Sequence, residues 1–343
     1  MRDFVRLHPK PLLSVLAIGI GILGVILAGR LPILQTLPII AGKATTFATV
    51  FLGIFIEAIP FLLLGTLGSG FVEAFLDTAQ IQRFIPRRAL TGALAGSLLG
   101  MVFPVCECGV VPLTRRLFNK GLPVAAGIAF LMAAPVLNPI VILSTSSAFG
   151  WGGMLAGRVG LSMLIAVITG LLFSVMKSPS EILLQASLRL GNKNPETVIR
   201  GPIAQRSFRE KLNQMTVIAA DEFFEMGRFL ILGASLAAGM QAFIPQQVLL
   251  QIGHGPVTSV LVMMALAVLL SICSTVDAFV ALGFVSIFSP GAILAFLIFG
   301  PMVDIKTTLM YLSVFKKRTV LYLILLPFLM SLLAGLLINL VVV

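Results

Sequence analysis

Charged residues are scarce in this chain of 343 residues, where Asp, Glu, Lys and Arg make up only 11% and hydrophobic residues make up 58%. A soluble domain carries about 25% charged residues, so this composition excludes an ordinary soluble protein. Apolar runs of about 20 residues, the length that a helix needs to cross a bilayer, recur along the whole chain. The sequence therefore predicts an all-α polytopic membrane protein.

Cysteine is also scarce, with only Cys106, Cys108 and Cys273. An odd number of cysteines and no extracellular domain argue against a disulfide framework. The chain lacks a P-loop pattern, so any use of ATP would need a partner subunit. The net charge of +11 does not indicate nucleic-acid binding, because the basic residues cluster at helix ends and in one loop.

Seven membrane spans are predicted from the apolar runs, at residues 12–29, 44–76, 121–146, 152–176, 217–243, 290–314 and 319–343. The first run is interpreted as a retained helix, because no convincing signal-peptide cleavage site follows it. Two further stretches, 89–114 and 256–288, are predicted to be re-entrant hairpins. Their arms of about 13–16 residues would pass the membrane midplane without crossing the bilayer. The alternative is that each stretch is a kinked full span.

The distribution of basic residues predicts the orientation in the cell inner membrane. The polar segment 177–216 holds seven basic residues against three acidic ones, which places it in the cytoplasm. With both hairpins re-entrant, the N-terminus is also cytoplasmic and the C-terminus is outside. The basic residues then expected in cytoplasmic loops include Arg115, Arg116, Lys120 and those at 316–318.

The two halves of the chain resemble each other, because "EAIPFLLLG" near the start of one matches "EMGRFLILG" near the start of the other. The separations between later matching positions agree to within one residue. The corresponding positions are Glu57 with Glu225, Gly65 with Gly233, Cys106 with Cys273, Pro135 with Pro301, and Asn138 with Asp304. We interpret this pattern as an internal repeat.

The predicted organisation is an N-terminal helix and connector (1–43), a first repeat (44–176), a cytoplasmic loop (177–216) and a second repeat (217–343). The charge-derived topology gives the two repeats opposite orientations. Inverted repeats with re-entrant helices place a substrate site near the midplane, at the interface between the repeats. The hairpin tips, "PVCECG" and "ICSTVD", are expected to meet there.

The stretch "FPVCECGVVP" places Glu107 between Cys106 and Cys108. In an extended loop, residues two apart point in the same direction. Thiolates bind soft metals and metalloids, so these two thiols and Cys273 are predicted to bind a thiophilic solute and to be the ligands of a metal or metalloid substrate. The alternative is that the cysteines are small buried hydrophobic residues.

Five acidic residues lie inside apolar segments: Glu57, Glu107, Glu225, Asp277 and Asp304. A charge near the bilayer centre costs at least about 2.5–3.5 kcal/mol, so such residues usually pair or belong to a transport pathway. The predicted proton-coupling residues are Glu57, Glu225 and Asp304.

Some of the acidic residues have alternative explanations that depend only on residues close to them in the sequence. Glu225 and Arg228 are spaced to form an ion pair on one helix. Asp304 and Lys306, two apart on a helix, should not face each other, so each is expected to need a partner from another element. Glu222 is expected near the start of a helix, where its charge would favour the helix dipole.

Asn138 lies in a span that prolines interrupt, and the freed carbonyls and its amide are predicted to line a cavity. The alternative is a kink that serves packing. The candidate substrate-binding residues are Cys106, Glu107, Cys108, Asn138, Cys273, Asp277 and Asp304.

The motifs "FPVCECGVVPL", "APVLNPIVI", "CSTVDAFVA" and "FGPMVDIKT" resemble the YraQ/ArsP-type predicted permease family. The resemblance implies an inner-membrane permease. Members called ArsP export trivalent organoarsenicals, and other members are linked to zinc homeostasis. The positions that carry the family motifs are Cys106, Cys108, Asn138, Cys273, Asp277 and Asp304.

The leading hypothesis is a secondary transporter, without a cofactor, that exports a small thiophilic solute such as an organoarsenical by proton antiport. The alternatives are a permease for zinc, another soft divalent metal or a sulfur compound, a passive channel, and a membrane thiol oxidoreductase that uses Cys106 and Cys108. The expected partners are the lipid bilayer and the solute, and a homo-oligomer is compatible with the sequence.

Overall fold

The computed structural model describes residues 38–77, 81, 85–86, 88–103, 105–176, 178–184, 207–243 and 255–342. The predicted first span and most of the predicted cytoplasmic loop lie outside these residues. The helices described are α1 (Pro38–Phe75), α2 (Ala89–Val102), α3 (Glu107–Asn119), α4 (Val124–Leu137), α5 (Pro139–Phe149), α6 (Gly153–Phe173), α7 (Pro179–Ile182), α8 (Phe208–Phe243), α9 (Pro256–Leu270), α10 (Asp277–Leu282), α11 (Pro290–Met302), α12 (Ile305–Val314) and α13 (Lys317–Val342).

The prediction of an all-α polytopic membrane protein is confirmed. Within the described residues, six helical segments are long and apolar enough to cross a membrane. They are Gly42–Phe75, Val124–Phe149, Gly153–Phe173, Phe208–Phe243, Pro290–Val314 and Lys317–Val341. They coincide with six of the seven predicted spans. The apolar helices α2 and α9 have only 14 and 15 residues, within the length predicted for hairpin arms.

Two of the crossing segments are broken near their middle. Asn138 separates α4 from α5, and its side-chain oxygen accepts a hydrogen bond of 2.9 Å from the backbone of Ile140. Asp304 separates α11 from α12, and its carboxylate accepts one of 2.6 Å from the backbone of Thr307. Each break therefore begins a new helix with a side-chain cap, which satisfies a backbone donor that has no partner within the helix.

The chain reverses direction between α2 and α3. Along α3, Gly109, Pro112 and Lys120 contact successive turns of α1 in the same order, so these two helices run parallel. The end of α3 packs against the start of α4, since Phe118 contacts Gly127. α2 in turn runs parallel to α4, because its glycines meet successive alanines of α4. α2 and α3 therefore run in opposite directions.

The second half has a similar arrangement. α9 runs parallel to α11, with the hydroxyls of Ser259 and Ser289 3.3 Å apart near their starts and Gly300 against Ala267 further along. α2, α4 and α6 pack against one another, and so do α9, α11 and α13. The long helices α1 and α8 pack together in antiparallel orientation, with Phe75 beside Phe208 at one end.

A short backbone pairing joins the start of the predicted cytoplasmic loop to the connection between α12 and α13. Lys316 donates its backbone N–H to Ile182 at 2.9 Å, and Leu184 donates to Val314 at 2.9 Å. These two segments therefore lie next to each other.

The prediction for Glu222 was wrong. α8 begins at Phe208 rather than at 217, so Glu222 lies almost four turns inside the helix, and its side chain is 2% exposed. Hydropathy placed the start of this span too late because the first turns of α8 are polar although they are helical.

Candidate functional site

A small cavity lies where the two predicted hairpin tips meet the centre of α1 and the start of α12. It is about large enough for a single water molecule. Its lining consists of Ile54, Glu57, Ala58, Cys106, Glu107, Cys108, Ser271, Cys273 and Lys306. Residues from both halves of the chain, including two carboxylates, a lysine and three thiols, thus line one space inside an apolar bundle.

The structure brings all three cysteines to this cavity. Cys106 caps the start of α3, Cys108 lies in the first turn, and Cys273 lies in the connection between α9 and α10. All three are buried, and none is in a disulfide. As they stand, the described histidine, cysteine, aspartate and glutamate side chains form no group of three or more that could hold a metal ion.

Lys306 supplies a positive charge at the cavity. Its ammonium lies 3.6 Å from the carboxylate of Glu107 and 3.3 Å from that of Asp304, and all three side chains are 2% exposed. Lys306 was not among the predicted site residues, and Lys306 and Asp304 were predicted not to face each other. That prediction was wrong because Asp304 is a cap with extended backbone rather than a helical residue.

The side chains at the two helix breaks hold the hairpin tips of their own halves. Asn138 donates its amide N–H to the carbonyl oxygen of Val105 at 3.3 Å. Asp304 accepts a hydrogen bond from the hydroxyl of Ser271 at 3.0 Å. Neither Asn138 nor Asp304 lines the cavity. Asn138 contacts Val105, next to Cys106. Asp304 instead contacts two lining residues, Ser271 and Lys306.

Two hydroxyls of the second tip reach carboxylates of the first half. Ser274 donates to Glu107 at 3.4 Å, and Thr275 donates to Glu57 at 3.3 Å. Ser274 directly follows Cys273 as Glu107 directly follows Cys106, so the contact joins corresponding positions of the two tips. The sequence predicted that the tips meet, and a hydrogen bond between them is the contact that the structure shows.

Asp277 lies outside the cavity lining, in a buried ion pair with Arg158. The guanidinium donates to both carboxylate oxygens, at 2.9 and 2.6 Å, and also to the hydroxyl of Thr145 at 2.8 Å. Arg158 and Asp277 are 1% and 4% exposed. The pair joins α6 of the first half to the start of α10 in the second half, and the sequence analysis did not find its basic member.

Glu225 is also engaged by a base from the other half. Arg115 donates to both oxygens of its carboxylate at 3.0 Å, whereas Arg228 donates to the backbone carbonyl of Glu225. The predicted ion pair between the side chains of Glu225 and Arg228 was therefore wrong. Of the three predicted proton carriers, Glu57 lines the cavity and Asp304 contacts Lys306, while Glu225 belongs to a separate cluster.

That cluster contains basic residues that the sequence analysis expected in a cytoplasmic loop. Arg116 donates to Glu222 at 2.6 Å, and Lys120 lies 3.4 Å from Glu73. Arg115, Arg116 and Lys120 are all buried, because α3 and Lys120, the residue that follows it, pack against neighbouring helices. The expectation that they are loop residues was wrong, since each is paired inside the protein.

Candidate membrane helices broken at their centres, together with a buried cavity lined by ionisable residues from both halves of the chain, are features of transport proteins. The chain belongs to the ArsP_1 family, described as predicted permeases, whose profile matches residues 43–340. It is 43% identical over 278 residues to UPF0718 protein YcgR of Bacillus subtilis, covering 80% of this chain and 91% of that protein.

A Streptococcus mutans protein is 37% identical over 274 residues, covering 79% of this chain and 88% of that protein. Its name describes a subunit of a two-component membrane permease complex. UPF0718 protein YraQ of Escherichia coli is 25% identical over 120 residues, covering 35% of this chain and 34% of that protein. No solved structure is significantly similar to this chain. The chain is thus a multi-pass membrane permease.

Proposed function

We propose that this permease is a secondary transporter that exports a small thiophilic solute through the cavity between the hairpin tips. The observation that carries the proposal is that three free thiols from two distant parts of the chain line one enclosed space. Soft ligands of this kind favour soft metal ions and trivalent metalloids. Trivalent organoarsenicals and soft divalent metals such as zinc are the proposed solutes.

The proposed architecture is an inverted repeat, with residues 44–176 and 217–343 as its two copies and the hairpins entering the membrane from opposite sides. The antiparallel packing of α1 and α8 supports it, since these helices carry the matching residues Glu57 and Glu225. Further support is that α9, α11 and α13 pack against one another in the same way as α2, α4 and α6 do. A substrate site at the repeat interface fits alternating access by movement of one copy against the other.

The proposed coupling is proton antiport. Thiols lose their protons when they bind a metal, so a site built from thiols needs a nearby acceptor. Glu107 lies between two of the thiols, and Glu57 lines the same cavity. Asp304 is the further proposed carrier through its contact with Lys306. The name of the Streptococcus relative supports a second membrane subunit as a partner.

The proposed orientation in the inner membrane places the N-terminus in the cytoplasm and the C-terminus outside. Single cysteines introduced into a cysteine-free variant should then react with a membrane-impermeant maleimide from opposite sides. Trp151→Cys and Val341→Cys, both at exposed positions, should be labelled in intact cells. Lys317→Cys, also exposed, should be labelled only after the membrane is opened. Labelling of all three variants in intact cells would contradict the orientation.

Serine substitutions test the role of the thiols, since serine keeps the size of cysteine but is a hard ligand. Cys106→Ser, Cys108→Ser and Cys273→Ser should each lower resistance to phenylarsine oxide in a sensitive host by about tenfold or more, the factor that the loss of about 1.4 kcal/mol of binding produces. Expression in the membrane should not change.

Ala58→Ser is the matched control, because it adds a hydroxyl to the same cavity and removes no thiol. It should keep most of the resistance. Full resistance in the triple serine variant would leave the cysteines as packing residues and remove the basis for a thiophilic cargo.

A further inference from the structure

The two carboxylates that contact Lys306 differ in the number and length of their hydrogen bonds and ionic contacts. Asp304 is fixed by three contacts, from Thr307 at 2.6 Å, Ser271 at 3.0 Å and Lys306 at 3.3 Å. Glu107 has two longer contacts, with Ser274 at 3.4 Å and Lys306 at 3.6 Å. Glu107 is therefore the partner that Lys306 can give up, while Asp304 retains the ammonium.

The contact between Lys306 and Glu107 also joins the two halves. Glu107 begins α3 in the first half, and Lys306 is the second residue of α12 in the second half. Gly233 of α8 lies against the backbone of Lys306, which fixes the position of the lysine stem. Relative movement of the halves consequently changes the distance between this ammonium and this carboxylate.

A buried carboxylate that loses its counter-ion is strongly disfavoured. If the halves separate at an empty cavity, Glu107 loses Lys306 and gains nothing in return. If a cation enters between the neighbouring thiols, its positive charge replaces the ammonium at Glu107. A neutral or anionic solute provides no such replacement.

We propose that Lys306 is an internal counter-ion that selects the cargo by charge: it neutralises Glu107 while the cavity is empty, and a soft cation displaces it on binding. This inference rests on the proposed function, because it takes the thiol cavity as the transport site. It predicts that thiophilic cations are favoured over neutral thiophilic species among the solutes that the thiols bind. It also assigns Lys306 a role in specificity that is separate from the role of the thiols.

The test uses the full-length protein in lipid nanodiscs and two thiophilic probes, the cation Cd²⁺ and the neutral compound phenylarsine oxide. Lys306→Gln removes the internal competitor, so Cd²⁺ should bind about tenfold or more tightly, as expected for a hydrogen-bonded charged group. Binding of phenylarsine oxide should stay within about twofold of the wild-type value, because this probe does not compete for the carboxylate. Lys306→Arg keeps the charge and should behave as the wild type does.

Lys317→Gln is the matched control, since it removes an exposed lysine at the start of α13 and should change neither affinity. Unchanged or weaker Cd²⁺ binding by Lys306→Gln, or equal shifts for both probes, would overturn the proposal. If Lys306→Gln does not fold, Glu107→Gln decides, because Asp304 still holds Lys306 in that variant. Its Cd²⁺ affinity should fall about tenfold while phenylarsine oxide binding is retained. Equal effects on both probes would reject the inference.

Failure of the proposed function would give a different result. The triple serine variant would then bind both probes as well as the wild type does. That outcome would remove the cavity as a thiol site and the role of Lys306 with it. If the lysine variants lack the expected affinity changes while the serine variants still bind the probes weakly, only the role of Lys306 is rejected.

Discussion

Asp277→Ala should destabilise the protein by about 3–5 kcal/mol, because it leaves the guanidinium of Arg158 buried without a counter-ion. Arg158 is 1% exposed, and its remaining described side-chain partner would be the hydroxyl of Thr145. The measurement is the free energy of unfolding of the purified protein in mixed micelles. The large effect follows from the isolation of this pair, which has no second described carboxylate to take over from Asp277.

The matched control is the double variant Arg158→Met/Asp277→Ala, which removes both charges. Replacing a buried ion pair with apolar residues is often neutral or stabilising, so the double variant should recover most of the loss. Equal destabilisation of the single and double variants would show that the packing of Asp277, rather than its charge, matters. Because the pair joins α6 to α10, the same experiment measures how strongly α10 is held by the first half of the chain.

Gly65→Ala should destabilise the protein by about 1–3 kcal/mol or more, as overpacking of a tight contact does. A Cβ atom at this position would overlap the backbone of Gly109, where α1 crosses the first turn of α3. The backbone of a packed helix cannot move aside in the way a flexible side chain can. α3 would have to shift, and Glu107 and Cys108 would move with it, so probe binding at the cavity should also weaken.

Gly68→Ala, three residues along the same helix, is the control. A Cβ atom there meets nothing within 4 Å. Alanine favours a helix over glycine by about 1 kcal/mol, so this substitution should be neutral or slightly stabilising. Opposite signs at Gly65 and Gly68 are therefore expected from the same chemical change. A neutral effect at Gly65 would mean that α1 and α3 are not closely packed at this crossing.

The acidic residues selected from apolar segments lie in two kinds of environment. Glu57 and Glu107 were selected because they interrupt apolar runs, and both line the cavity. The same rule selected Asp277 and Glu225, which instead pair with Arg158 and Arg115. A buried carboxylate in a membrane segment has to be neutralised, but hydropathy does not distinguish neutralisation by a distant base from exposure to a cavity.

The sequence alone determined the class of protein and the described candidate spans, because hydropathy and helix length are properties of local segments. The matched spacing of Cys106 and Cys273 also allowed the meeting of the two tips to be predicted. Only the tertiary structure decided which basic residue neutralises each buried carboxylate. Arg158 and Asp277 are 119 residues apart, and Arg115 and Glu225 are 110 apart, so no local pattern links them. The position of Lys306 likewise depended on a cap geometry at Asp304 and on the approach of α3, which exist only in the folded chain.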